Sequence, residues 1–222
     1  MLIDKIQQTP KNVFTKATII VLVHFQYQGG IMKKVLSNLL FIVFLFFTYS
    51  ISAFAQDIYT IDPNHTYVLW HINHFGYSNP SGKWFASGTI TLDQANPKNS
   101  KVNVTINLAD VDTGIPKLDE HIKSDTFLNV AQYPIATFVS NSVDITGKNT
   151  AKVYGTLSLH GVARPIILYV TLNKSGISPI TNKMTVGFSA VAELNRSTYG
   201  IKAYLPGLGD LVKLDIEVEA SK

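Results

Sequence analysis

The chain has 222 residues, 46% of them hydrophobic and 15% charged, with 19 Lys+Arg against 15 Asp+Glu and no cysteine. The missing thiols exclude disulfides, thiol catalysis and Cys-based metal sites. Five of the basic residues (Lys5, Lys11, Lys16, Lys33, Lys34) and one acidic residue (Asp4) precede residue 56; the remainder is formally neutral, so the basicity of the whole chain is no sign of a nucleic-acid partner.

Residues 1–31 contain one short apolar stretch, Ala17 to Phe25, and read as a non-native or unstructured upstream extension. From Met32 the pattern is that of a secretory signal. Lys33 and Lys34 supply a positive start, Leu39 to Phe47 is an unbroken apolar run, and Ala53-Phe54-Ala55 gives the small-x-small site at which signal peptidase cuts. Residues 32–55 are therefore expected to be a cleaved signal peptide and 56–222 an exported domain. In the rival reading, Val35 to Ala55 is an uncleaved anchor about long enough to span a bilayer.

Beyond residue 56 the dominant period is two. Val102, Val104, Ile106 and Leu108 alternate with Asn103, Thr105 and Asn107; Val212, Leu214, Ile216 and Val218 alternate with Lys213, Asp215, Glu217 and Glu219. Such alternation marks strands with one buried and one wet face. Further β-branched and aromatic runs at 66–75, 84–92, 135–143, 152–159, 166–172 and 184–194 bring the expected strands to eight. Turn chemistry at Asn79-Pro80-Ser81-Gly82, Asn96-Pro97, Gly147-Lys148-Asn149 and Ser175-Gly176 separates them. A helix is expected over 117–128, where Leu118, His121, Ile122 and Asp125 share a face, as a crossover between the third and fourth strands.

The expected fold is all-β, and turn spacing of this kind argues for a sandwich or a barrel. Eight strands joined mostly by hairpins can close into an eight-stranded antiparallel barrel that leaves no sheet edge open, with one short crossover helix. A barrel of that size either fills with side chains or holds one slender ligand. Periodicity fits both, because each predicts inward apolar residues.

A series of short segments resembles one family. Tyr59-Thr60-Ile61-Asp62-Pro63-Asn64-His65-Thr66 is similar to an opening Y-x-I-D-x-x-H-S, and Ile72-Asn73-His74-Phe75-Gly76 follows it. Asp119-Glu120-His121-Ile122-Lys123-Ser124 with Phe127, then Tyr133-Pro134 with Phe138, Leu157-Ser158-Leu159-His160-Gly161-Val162 and Gly187-Phe188-Ser189 continue in order. Asn195-Arg196-Ser197 with Tyr199-Gly200-Ile201, and Gly209-Asp210 with Val212, complete the series. The chain thus resembles the YceI-like, polyisoprenoid-binding periplasmic proteins across nearly all of 56–222. It departs from them at Leu118, where the family carries Arg, and at Leu128, where the family repeats Phe.

The resemblance implies a lipocalin-like barrel with an apolar tunnel for a long-chain isoprenoid or quinone-like lipid. It also implies a periplasmic location, a possible homodimer and transient membrane contact for ligand exchange. Transport or storage of the lipid is the expected role, with no enzymatic activity, cofactor or metal. Two alternatives stay open: a lipid-modifying enzyme using Asp119 and His121 as an acid–base pair, and a ligand-free stress or interaction protein.

Strand parity and the resemblance together assign the inner wall. Val68, Trp70, Ile72 and Phe85 represent the first two strands, and Val104, Ile106 and Leu108 the third. Phe127 comes from the helical segment, and Phe138, Leu157, Leu168 and Phe188 from the four strands after it. Leu214 and Ile216 complete the wall. Polar contacts at the mouth are assigned to His65, Asp119, His121 and Arg196, where an Asp119–Arg196 pair either fixes a head group or pins the crossover to the barrel. His71 and His74 are three apart on a strand, so they point to opposite faces and cannot chelate one ion.

Overall fold

A computed structural model describes residues 56–222; the readings made for 1–31 and 32–55 lie outside the described residues. Ten strands run in chain order as β1 (Asp57–Ile61), β2 (Tyr67–His74), β3 (Ser81–Phe85), β4 (Ser87–Leu92), β5 (Lys101–Asn107), β6 (Ile135–Ile145), β7 (Thr150–Leu159), β8 (Val162–Ile177), β9 (Met184–Asn195) and β10 (Leu208–Ser221). One α-helix, α1 (Pro116–Lys123), lies between β5 and β6.

These ten segments make eight long strands. β1 and β2 both lie along β10, with Ile61 opposite Ala220 and Tyr67 opposite Glu217. Pro63 interrupts the ladder between them. Glu219 stitches the gap: its carbonyl accepts from Asp62 N–H at 2.9 Å and from the Thr66 hydroxyl at 3.2 Å, and its N–H donates back to Thr66 Oγ1 at 3.1 Å. β3 and β4 are likewise one strand broken at Ala86, with β3 on β2 and β4 on β1. Counted this way, every strand is antiparallel to the next and the last returns to the first. Closure removes most of the unpaired edges that would otherwise template association.

Two details differ from the sequence reading. The first strand starts at Asp57, nine residues before the expected 66, because the chain resumes the same ladder after Pro63. The helix ends at Lys123 and not at 128, because Ser124 bonds back to the His121 carbonyl through both its N–H (3.2 Å) and its hydroxyl (2.7 Å) and turns to extended backbone.

The inward side chains fill part of the barrel solidly. Tyr59, Ile61, Ile90, Val186 and Ala220 pack together at one end. A second cluster of Phe138, Val143, Val153, Ile166 and Ala192 lies on the β6–β9 wall. The β8–β9 ladder ends at the Tyr169–Val191 pair, so Val162–Leu168 has a ladder partner in β7 alone. Pro165 sits in this stretch, where a strand can spare an N–H.

Candidate functional site

The other end of the barrel is hollow. A cavity of about 620 Å³ opens between the ends of β2, β3, β7 and β10, the helix α1 and the loop 200–208. This lies within the ~300–1,000 Å³ range usual for small-molecule sites. Register explains the strand contributions: Ile72, Trp70 and Val68 lie opposite Val212, Leu214 and Ile216, all on the inner face. The helix adds Leu118, His121 and Ile122, whose spacing puts them on one side. Phe127 and Leu128 follow from the turn after it.

Of the residues assigned to the inner wall, Val68, Trp70, Ile72, Ile106, Leu108, Phe127, Leu157 and Leu214 line the cavity. Val104, Phe138, Leu168 and Phe188 pack in the clusters beside and below it, and Ile216 faces inward opposite Val68 without reaching it. Phe85 is a correction. It is 41% exposed, on the outer face with the Lys83 ammonium 5.0 Å from its ring centroid. Parity carried the answer: Trp84, Ala86, Ile90 and Leu92 form the apolar even face, and Phe85 shares the odd face with Ser87, Thr89 and Thr91.

The polar assignments separate. His65 is on the outer wall at the β1–β2 break, its Nδ1 2.7 Å from Asp62 Oδ2, and does not reach the mouth. That hydrogen bond, with the Asp62 charge and the more distant Glu219, raises the imidazole pKa above its ordinary value; the same bond lowers that of Asp62. Asp119 accepts from Thr113 N–H at 2.9 Å and from the Thr113 hydroxyl at 2.6 Å, which fastens the first turn of α1. No Asp119–Arg196 pair and no Asp119–His121 hydrogen bond forms among the described residues, so Asp119 and Arg196 neither clamp a head group together nor pin the crossover as a pair.

Arg196 lines the cavity while being 4% exposed. Its guanidinium donates to four backbone carbonyls: Gly209 at 2.8 Å, Ile201 at 3.0 Å, Ala203 at 2.8 Å and Leu208 at 2.9 Å. The planar fork thus holds the 200–208 loop that forms one lip of the mouth. Burial lowers the guanidinium pKa and the nearby Asp210 opposes that shift. Asp210 itself is held by the N–H and hydroxyl of Ser197, at 2.8 and 2.7 Å.

At the lip, His121 meets Phe127 edge-on at 5.0 Å between ring centroids, and Tyr204 lies 5.9 Å from Phe127. His74 also lines the cavity, whereas His71 faces outward, 3.0 Å from Asp215. His160, held at φ 52°, fixes the β7–β8 turn by a 2.9 Å bond between Nδ1 and the Tyr199 carbonyl. Sequence reasoning missed Trp84, Leu194, Val212 and Tyr204 as lining residues. Parity places the first three indoors, Trp84 with Ile90, Leu194 with Ala190 and Ala192, and Val212 with Leu214; nothing local marks Tyr204, which reaches the cavity from a loop.

Comparison with known proteins places this architecture. Residues 59–220 match the YceI-like domain. Protein YceI of Escherichia coli O17:K52:H18 is 40% identical over 191 residues, covering 85% of this chain and 97% of that protein. A UPF0312 protein of Pseudomonas savastanoi pv. phaseolicola is 41% identical over 172 residues, covering 75% and 87%. Among solved structures, the Campylobacter jejuni YCEI protein has a TM-score of 0.61 at 29% identity, covering 68% of this chain and 89% of its own. Burkholderia cenocepacia BcnA (TM-score 0.65, 21% identity, 72% and 98% covered) shares the fold. So does a polyisoprenoid binding domain from Saccharophagus degradans (TM-score 0.58, 16% identity, 73% and 97% covered).

Proposed function

The chain belongs to the YceI-like family, and from that premise we propose that it binds the tail of an isoprenoid or quinone-like lipid and carries or stores it in the periplasm. The observation that carries the reading is the apolar hollow of about 620 Å³ at one end of the barrel. The polyisoprenoid-binding domain of Saccharophagus degradans, with the same fold, supports the ligand class. Each methylene taken from water is worth about 0.8 kcal/mol, so a few isoprene units suffice to keep a tail in the cavity. A bilayer offers the tail the same gain, so cavity length and the mouth must set selectivity.

Allowing a water-sized group its ~30 Å³ share of volume, the cavity of about 620 Å³ holds about twenty carbons, or about four isoprene units. A longer chain extends through the mouth. Export belongs to the same reading: residues 32–55 act as a cleaved signal, and N-terminal sequencing of the mature protein finding Gln56 first is the expected result. Dimerisation in solution is part of it too and is checked by sedimentation equilibrium.

Native mass spectrometry of protein from its own cells, with extraction and identification of bound lipid, tests the binding reading. An isoprenoid-tailed adduct is expected. Protein that carries no apolar adduct and takes up no added isoprenoid overturns the reading.

A further inference from the structure

We propose that the mouth of the barrel is a docking face for a lipid bilayer, with Phe75, Tyr77 and Tyr204 as the rings that enter the interface. The inference rests on the lipid-carrier reading and names the surface through which the carrier would load and unload.

Three aromatic rings stand exposed on the two loops that frame the opening: Tyr77 is 90% exposed, Tyr204 55% and Phe75 48%. Phe75 and Tyr204 also line the cavity, so two of the exposed rings join its apolar wall to solvent, beside His74, Ser78 and His121. A tail leaving the cavity over these rings enters water unless the rim already rests on an apolar phase. Aromatic side chains with one apolar and one polar end collect at membrane–water interfaces.

The loops hold these rings in place firmly. Phe75 and Tyr204 both have left-handed backbone, at φ 55° and 58°. That region is strained for bulky residues and persists where surrounding bonds enforce it. Here Phe75 N–H donates to the Gly207 carbonyl at 3.0 Å, and the Phe75 ring sits where a side chain at 207 would otherwise lie. The Tyr77 turn is closed by His74 N–H to the Ser78 carbonyl at 2.8 Å, Tyr77 N–H to the His74 carbonyl at 3.0 Å and Gly76 N–H to Asn73 Oδ1 at 2.9 Å. Two coupled loops therefore present three rings at one opening, and core packing does not account for rings this exposed.

Charge favours a lipid surface over a highly charged macromolecule. Around the mouth Lys117, Lys123 and Lys202 are matched by Asp119, Glu120 and Asp125. Attachment then depends on ring burial and changes little with salt.

The test uses protein from the soluble extract of expressing cells, vesicles of phosphatidylethanolamine with phosphatidylglycerol, and NBD-labelled geranylgeraniol as probe. Transfer from loaded protein to vesicles should speed up in proportion to vesicle concentration, as contact transfer requires. Tyr77→Ser should cut vesicle co-sedimentation and transfer rate by roughly fivefold or more, and Tyr77→Trp should keep both. Because Tyr77 does not line the cavity, probe affinity measured without vesicles should stay at the parent value in both variants. A transfer rate independent of vesicle concentration, or Tyr77→Ser behaving as the parent, overturns the docking face. A parent that binds no probe overturns the carrier reading instead, and co-sedimentation then decides the docking face by itself.

Discussion

The ring of Phe138 lies over Gly155 across the β6–β7 ladder, in the space a side chain at 155 would take. A methyl group there meets two ring carbons, and it also comes within 2.7 Å of the Val139 carbonyl oxygen. Gly155→Ala is expected to lower unfolding stability by about 1–3 kcal/mol through overpacking. Urea melts should show an earlier midpoint with an unchanged slope.

Val212 faces the hollow and Val153 the packed cluster, so the same enlargement should act differently at each. Val212→Trp has room: stability should change by less than ~1.5 kcal/mol, while affinity for geranylgeraniol should fall by roughly tenfold or more. Val153→Trp should instead cost stability first. Equal destabilisation by both would mean that the hollow is filled in solution.

Arg196 holds four carbonyls through a geometry that an ammonium cannot copy. Arg196→Lys is expected to lose about 2–4 kcal/mol, since several carbonyls lose charged donors at once. Hydrogen exchange should show the protection loss concentrated in residues 200–209.

The His65–Asp62 pair gives a pH signature. The imidazole pKa is raised, so its contribution is complete below the ordinary histidine value of about 6.5 and is lost as pH rises through the higher folded value. The Asp62 pKa is lowered, so its contribution is complete above the ordinary aspartate range and is lost as pH falls through the lower folded value. NMR titration should find His65 protonated to higher pH than in a peptide, and Asp62→Asn should remove most of that elevation. Both groups are solvated, so the effect on overall stability should be small.

Chain length provides another check on the carrier reading. Affinity for isoprenoid alcohols should climb from geraniol to geranylgeraniol and flatten beyond, since further units leave the ~620 Å³ cavity. A continued climb with longer chains would require the Phe138 cluster to open.

Strand parity was legible in β10, where Val212, Leu214, Ile216 and Val218 face inward as their alternation demands. It was equally legible around Phe85, although that ring's apolarity argued for the wrong face. Asp119 shows the limit of motif reading. Its partner Thr113 is an ordinary polar residue in sequence, and the choice of Thr113 over Arg196 depends on how the chain folds back ahead of α1.

The sequence by itself determined an all-β, antiparallel domain: period-two alternation fixes which side chains turn inward, and turn residues at regular spacing join antiparallel neighbours. The choice of a closed barrel over a sandwich came from the family resemblance. Only the tertiary structure decided which part of that interior stays open. Whether inward side chains meet or leave a gap depends on residues from distant strands, such as Phe138 finding Gly155, and on loops such as the one that Arg196 holds at the mouth. Alternation along one strand carries no record of what stands across the barrel from it.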